Sequence, residues 1–146
     1  MKQTIQSRSE QDTEQLAQNL ARFCLQNPEA WTIHLNGDLG AGKTCFSRGF
    51  IAGLGHQGSV KSPTYTLVEH YQLGGRAVFH FDLYRIADPD ELELMGFYDY
   101  LHQAGICIVE WPEKLPGLIA QATWQVVIDL RDDGRDVTIT ACQPTA

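Results

Sequence analysis

The chain has 146 residues, enough for one domain of ordinary size and too few for two. Its apolar fraction of 43% and charged fraction of 20% are those of a globular protein and exclude a disordered or fibrous one. Eleven basic against eighteen acidic side chains leave a net charge of −7. That argues against a protein whose main task is coating nucleic acid, which rests on a basic footprint, though a small basic patch or a partner supplying the positive charge stays compatible.

Cys24, Cys45, Cys107 and Cys142 stand far apart with no C-x-x-C pair, so zinc spacing is absent and a disulfide framework is not expected. Met1 to Glu10 shows no apolar run of the secretory kind, and the apolar stretches are far shorter than a membrane span. The expectation is a soluble cytoplasmic domain, 1–146, without linker or repeat.

In chain order, Ser9 followed by Asp12 opens a helical pattern, with Leu16, Leu20, Phe23 and Cys24 on one stripe until Asn27–Pro28 stops it. Trp31 to Leu35 reads as a short strand ending at Asn36–Gly37. A helix is expected from Lys43 to about Gly53–Gly55, with Phe46, Phe50, Ile51 and Leu54 at helical spacing. Tyr65–Tyr71 and Ala77–Tyr84 flank Gly74–Gly75 as a hairpin. Asp88-Pro89-Asp90-Glu91 reads as a helix start, with Asp88 at the N-cap and Glu91 reaching back, and Gly96 ends that helix. Ile106–Val109 is a buried-strand run leading into Glu110. Trp124–Leu130 and Val137–Ala141 form a second hairpin around Arg131–Arg135. The predicted fold is α/β: a single three-layer domain with a mixed, partly parallel sheet and a C-terminal antiparallel hairpin.

The chemistry concentrates in Gly37-Asp38-Leu39-Gly40-Ala41-Gly42-Lys43-Thr44, which fits G-x-x-x-x-G-K-[ST] at every fixed position. It falls between a predicted strand and a predicted helix, as the mechanism requires. Glycines let consecutive backbone N–H groups turn inward around a phosphate, and the helix N-terminus adds favourable dipole charge. Lys43 would neutralise the β- and γ-phosphate oxygens, and the Thr44 hydroxyl would ligate Mg²⁺. A glycine-rich turn with an exposed lysine is the bland alternative, but three glycines and a lysine there serve no packing purpose.

Such a loop needs an acid near the metal, normally at the end of a neighbouring apolar strand. Glu110 fits, as metal ligand or as the group that polarises water; a solvated acid at a strand end is its alternative. His80 and Asp82 share one face of a strand, so Asp82 can orient water, or the two can form a buried His–Asp pair. Ser62-Pro63-Thr64 lies on a loop able to close over the γ-phosphate, or is an ordinary turn. Trp111 either packs near the nucleotide or caps its strand, with core packing the expected reading, and Arg135 could act as an arginine finger, with an exposed hairpin residue the expected reading.

Gly37–Thr44, Ser62-Pro63-Thr64-Tyr65, His80-Phe81-Asp82-Leu83-Tyr84-Arg85 and Val109-Glu110-Trp111, in this order, resemble the TsaE family, also called YjeE. These are small bacterial P-loop ATPases of the tRNA threonylcarbamoyladenosine pathway. The resemblance spans about Ser9 to Thr140 and implies that the nucleotide is ATP, held with Mg²⁺. It further implies binding to the TsaB–TsaD pair, which carries the group made by TsaC to adenosine 37 of tRNA, so that tRNA is met only through the complex. By matching position it implies Lys43 and Thr44 on phosphate and Mg²⁺, Glu110 on the metal and Asp82 in hydrolysis. It also sets Thr64 in a switch-like loop and Thr13 near the nucleotide.

Three rivals stay open on the residues alone. A small nucleotide or metabolite kinase needs an arginine-rich lid, and the seven arginines here are scattered. A GTPase needs a guanine reader, and no N-K-x-D segment is present. The third is a structural subunit that binds ATP without cutting it.

Overall fold

Ser9 starts the first helix as expected: its hydroxyl accepts the Asp12 N–H at 3.1 Å, and α1 runs Glu10–Gln26. The computed structural model describes residues 2–27, 29–38, 40–103, 105–114 and 122–142; Pro28 and Leu39 lie outside the described residues. The other elements are β1 (Lys2–Ser7), β2 (Trp31–Asn36), α2 (Lys43–Gly53), β3 (Val68–Leu73), β4 (Arg76–Asp82), α3 (Asp90–Leu94), α4 (Phe97–Gln103), β5 (Ile106–Glu110), β6 (Trp124–Arg131) and β7 (Gly134–Ala141), with a 3₁₀ turn at Pro112–Lys114 after β5.

The strands form one sheet in the order β1-β7-β6-β2-β5-β4-β3. Its centre, β6-β2-β5-β4, is parallel, and antiparallel pairs close both sides. Helices lie on both faces. Ala17, Leu20, Phe46 and Phe50 of α1 and α2 pack with Ile33, Leu35, Ile106, Ile108, Val126 and Ile128. Leu92 and Phe97 of α3 and α4 join Phe79, Phe81, Cys107 and Val109 on the opposite face. The Ile106–Val109 run is therefore continuous because both faces are buried, alternate residues serving alternate cores. Each such fully buried side chain contributes about 1.5–3 kcal/mol.

Helices α1 and α2 meet backbone to backbone. A Cβ on Gly49 would sit 2.7 Å from the Glu14 Cα, and one on Gly53 2.9 Å from the Gln18 Cα. The buried face of α1 is accordingly Thr13, Ala17, Leu20, Ala21 and Cys24. Phe23, predicted on that stripe, is instead 43% exposed, its ring edge-on to Trp31 and Trp124.

Several boundaries differ from the expectation. β1 has one apolar residue in its interior, Ile5, and is defined by its antiparallel partner β7 rather than by a pattern of its own. β3 starts at Val68, because Leu67 takes a φ of 68° after a turn that occupies 63–66. Pro89, not Asp88, holds the N-cap of α3. Asp88 caps from outside, its Oδ1 accepting the Asp90 N–H at 3.0 Å, while the Glu91 N–H bonds the Asp88 carbonyl. Gly96, at φ 79°, ends α3 and lets the chain turn into α4, which has no strong start signal. The four cysteines are unpaired. No helix among the described residues is long and apolar enough to cross a membrane.

Candidate nucleotide site

The loop from β2 to α2 is shaped by where side chains cannot go. Gly42 precedes the helix at φ 111°, a left-handed conformation that strains any L side chain. A Cβ on Gly37 would come within 2.8 Å of the Ile128 carbonyl. The Ala41 N–H bonds the Asp38 carbonyl at 3.0 Å, and the Arg135 Nε donates to the Ala41 carbonyl at 2.8 Å. Arg135 is thus a half-buried tie between the C-terminal hairpin and this loop, not the exposed turn residue expected.

Lys43 opens α2 with its side chain folded back over the loop. Its Nζ donates to the Gly37 carbonyl, reaches the Asp38 carbonyl at 3.4 Å, and lies 3.5 Å from the centroid of the Trp111 ring. Burial pulls the Lys43 ammonium below the ordinary lysine range; Glu110, Glu113, Asp82 and Asp38 oppose that pull. Trp111 takes a φ of 60° directly after Glu110, and its ring centroid is 4.9 Å from that of Tyr84. The expected strand cap is therefore a ring placed over the lysine.

Asp82 and Glu110 are register partners at the C-terminal ends of the parallel strands β4 and β5. The Glu110 Oε2 is 2.6 Å from the His80 Nε2 and accepts the Ser47 hydroxyl at 3.3 Å. Asp82 uses both oxygens: Oδ2 accepts the Thr64 hydroxyl at 3.1 Å and Oδ1 the Tyr84 N–H at 3.0 Å. The His–Asp pair considered from sequence does not form; His80 pairs with the neighbouring strand's carboxylate. Ser62 and Thr64 hydroxyls are 2.8 Å apart, so the Ser62–Thr64 turn is anchored on Asp82.

A cavity of about 410 Å³ gathers Gly40, Gly42, Lys43, Thr44, Thr64, Asp82, Glu110 and Trp111, with Glu10, Cys45, Arg48 and Tyr84 completing its wall. Next to it, about 300 Å³ is bounded by Ser7, Arg8, Ser9, Glu10, Thr13, Gly40, Ala41, Gly42, Cys45, Gly134 and Arg135. Thr13 is buried, its hydroxyl 2.5 Å from that of Ser7. Gly37 and Asp38 line neither cavity; they supply the carbonyls that hold Lys43.

The donor set suits a hard cation with few protein ligands: a hydroxyl from Thr44 and a carboxylate from Glu110 line one cavity, and among the described residues no three His, Cys, Asp or Glu side chains converge closely enough to cage a metal ion. Mg²⁺ is held in this way, by one or two protein oxygens beside phosphates and water. Sequence reasoning missed Ser47; for Trp111 and Arg135 a place near the nucleotide is the lesser alternative to packing and to exposure. For Ser47 a signal exists: it stands one helical turn after Lys43, between the apolar residues Phe46 and Phe50.

A glycine-rich loop joining a central parallel strand to a helix, with carboxylates at the ends of the adjoining strands, defines a P-loop nucleotide-binding fold. The family model described as "Threonylcarbamoyl adenosine biosynthesis protein TsaE" matches residues 7–137, and the chain belongs to the TsaE family. It is 53% identical over 117 residues to the tRNA threonylcarbamoyladenosine biosynthesis protein TsaE of Haemophilus influenzae, covering 80% of this chain and 74% of that one. The Bacillus subtilis protein of the same name is 43% identical over 110 residues, 75% of this chain and 68% of that one. In three dimensions the chain is similar to the crystal structure of Bacillus subtilis YdiB, with TM-score 0.72, 32% identity, and coverage of 98% and 87% of the two chains.

Proposed function

We propose that this chain is a Mg²⁺-dependent ATPase that serves threonylcarbamoyl modification of tRNA adenosine, acting with TsaB and TsaD in the cytoplasm as a single 1–146 domain and meeting tRNA only through that complex. One observation carries the reading: Lys43 and Thr44 from the loop–helix junction, Thr64, Asp82 and Glu110 line one cavity with Gly40 and Gly42. Family membership supports the pathway, since the relatives' name is that of a threonylcarbamoyladenosine biosynthesis protein.

In this reading the backbone of 37–42, Leu39 included, receives the phosphates, with Lys43 on the terminal pair. Thr44 and Glu110 would hold Mg²⁺, which supplies charge neutralisation on the phosphate oxygens. Asp82 fixes the Ser62–Thr64 loop beside the terminal phosphate and orients water there. The neighbouring cavity walled by Thr13 and Arg135 takes the nucleoside end. The reaction moves the terminal phosphoryl group to water, leaving ADP and phosphate.

Turnover by the isolated chain is expected to be weak. Arg48, which lines the cavity, pairs with Glu14 at 3.2 Å and would have to leave that half-exposed pair to meet the developing charge. The test is ATP hydrolysis by the purified chain, alone and with TsaB and TsaD from the same source. A clear rise on adding the pair is expected. Mg-ATP bound with no rise would remove the partner assignment and favour a kinase-type reading.

A further inference from the structure

The two carboxylates at the strand ends are hydrogen-bonded in different ways. Asp82 has one donor on each oxygen, whereas Glu110 receives both of its donors, His80 and Ser47, on Oε2. Its Oε1 has no hydrogen bond to the described residues, and Glu110 lines the larger cavity. Three elements converge on the one oxygen: β5 brings Glu110, β4 brings His80, and α2 brings Ser47 from one turn beyond Lys43.

We propose that His80, assisted by Ser47, is a positioning residue that holds Oε2 and thereby presents Oε1 of Glu110 to the cavity; this rests on the metal role given to Glu110 above. The bond is short, 2.6 Å, and the side chains are only 3% and 6% exposed, so water does not compete for it. The His80 ring meets this bond and no other need: its Nδ1 is buried with no partner among the described residues. An orphaned buried nitrogen is unfavourable, so the ring orientation is set by the carboxylate. Stability alone does not call for the arrangement, because a well-packed apolar pair is commonly as good as or better than a buried hydrogen-bonded polar one. Fixing one oxygen of a ligand so that the other faces the ion is what outer partners of metal ligands do.

The test is calorimetric binding of ADP with and without Mg²⁺, together with ATP turnover over a Mg²⁺ titration. His80→Phe removes the donor at similar volume. It is expected to leave metal-free ADP affinity within about twofold and to raise the Mg²⁺ needed for half-maximal effect by about tenfold or more, the usual loss when such a partner is removed. His80→Gln, whose amide is again a donor, should recover part of that loss. Ser47→Ala should shift Mg²⁺ dependence in the same direction by less, and it carries the test if His80→Phe does not fold. Unchanged Mg²⁺ dependence in folded His80→Phe, or failing that in Ser47→Ala, would return the pair to packing. Glu110→Gln separates the two levels. No effect there overturns the metal role and the positioning role together, while an effect there without one in His80→Phe overturns the positioning role alone.

Discussion

The Lys43 Nζ lies 3.5 Å above the Trp111 ring while it donates to the Gly37 carbonyl of its own loop. Both contacts stand in for the anionic partner that this lysine would have in a nucleotide complex. On the proposed function, nucleotide binding would be an exchange in which phosphate oxygens replace a carbonyl and an aromatic face.

Lys43→Ala should accordingly weaken ADP binding by about 10–100-fold, since hydrogen bonds to charged groups are worth about 1.5–3 kcal/mol. Because burial lowers the ammonium's pKa, affinity should begin to fall on the alkaline side at lower pH than an exposed lysine would allow. On the proposed function the charged form would bind phosphate more tightly than the neutral form. ADP calorimetry between pH 7 and 10 checks the sign; affinity that rises with pH would contradict it.

Glu110→Ala is expected to reduce turnover more than nucleotide affinity, and Thr44→Ala to weaken Mg²⁺ dependence. Asp82→Ala also frees the Thr64 hydroxyl, so it should lose turnover and loosen the Ser62–Thr64 turn together. Hydrogen exchange over residues 60–67, compared with hydrolysis, distinguishes the two effects. Full partner-stimulated turnover in Asp82→Ala would leave this residue a structural part only.

His34 is expected to make the fold acid-sensitive. It is fully buried in β2, the Gln125 amide nitrogen is 3.4 Å from its Nδ1, and burial lowers its pKa to about 4. The unfolded chain takes up this proton near pH 6.5 and the folded chain only near 4, so stability is complete above the first value and declines as pH falls towards the second. Such a separation corresponds to about 3 kcal/mol. Urea midpoints measured between pH 7 and 4 should fall less steeply for His34→Leu than for wild type.

Gly49→Ala should destabilise the fold by about 1–3 kcal/mol, because the added methyl meets the α1 backbone rather than a movable side-chain end. Chemical denaturation provides the measurement. Gly55→Ala is a useful contrast: a Cβ there meets nothing within 4 Å, and its cost is the conformational one of a φ of 112°.

Thiol labelling should divide the cysteines by burial. Cys142 is half-buried and should react first with iodoacetamide. Burial raises the Cys24 thiol to about 12 and pushes Cys107 up as well, so both should label only on unfolding. Fast labelling of Cys107 in the native protein would mean that the sheet opens locally.

Much of this protein can be read from its residues in order. The loop from Gly37 to Thr44 names its chemistry because phosphate binding needs glycines, a lysine and a hydroxyl at set local spacing. The Ile106–Val109 run ending in Glu110 and the two glycine-centred hairpins are likewise local signals. Tertiary structure alone decided which distant groups meet. β1 became a strand because β7 offered an edge, and Arg135 reached Ala41 because that same hairpin lies beside the loop. His80 bonds Glu110 rather than Asp82 because residues two apart on one strand face the same way without touching, whereas the parallel neighbour β5 brings its carboxylate alongside. Hydrogen bonds across a sheet depend on strand order, and no spacing along the chain encodes strand order directly.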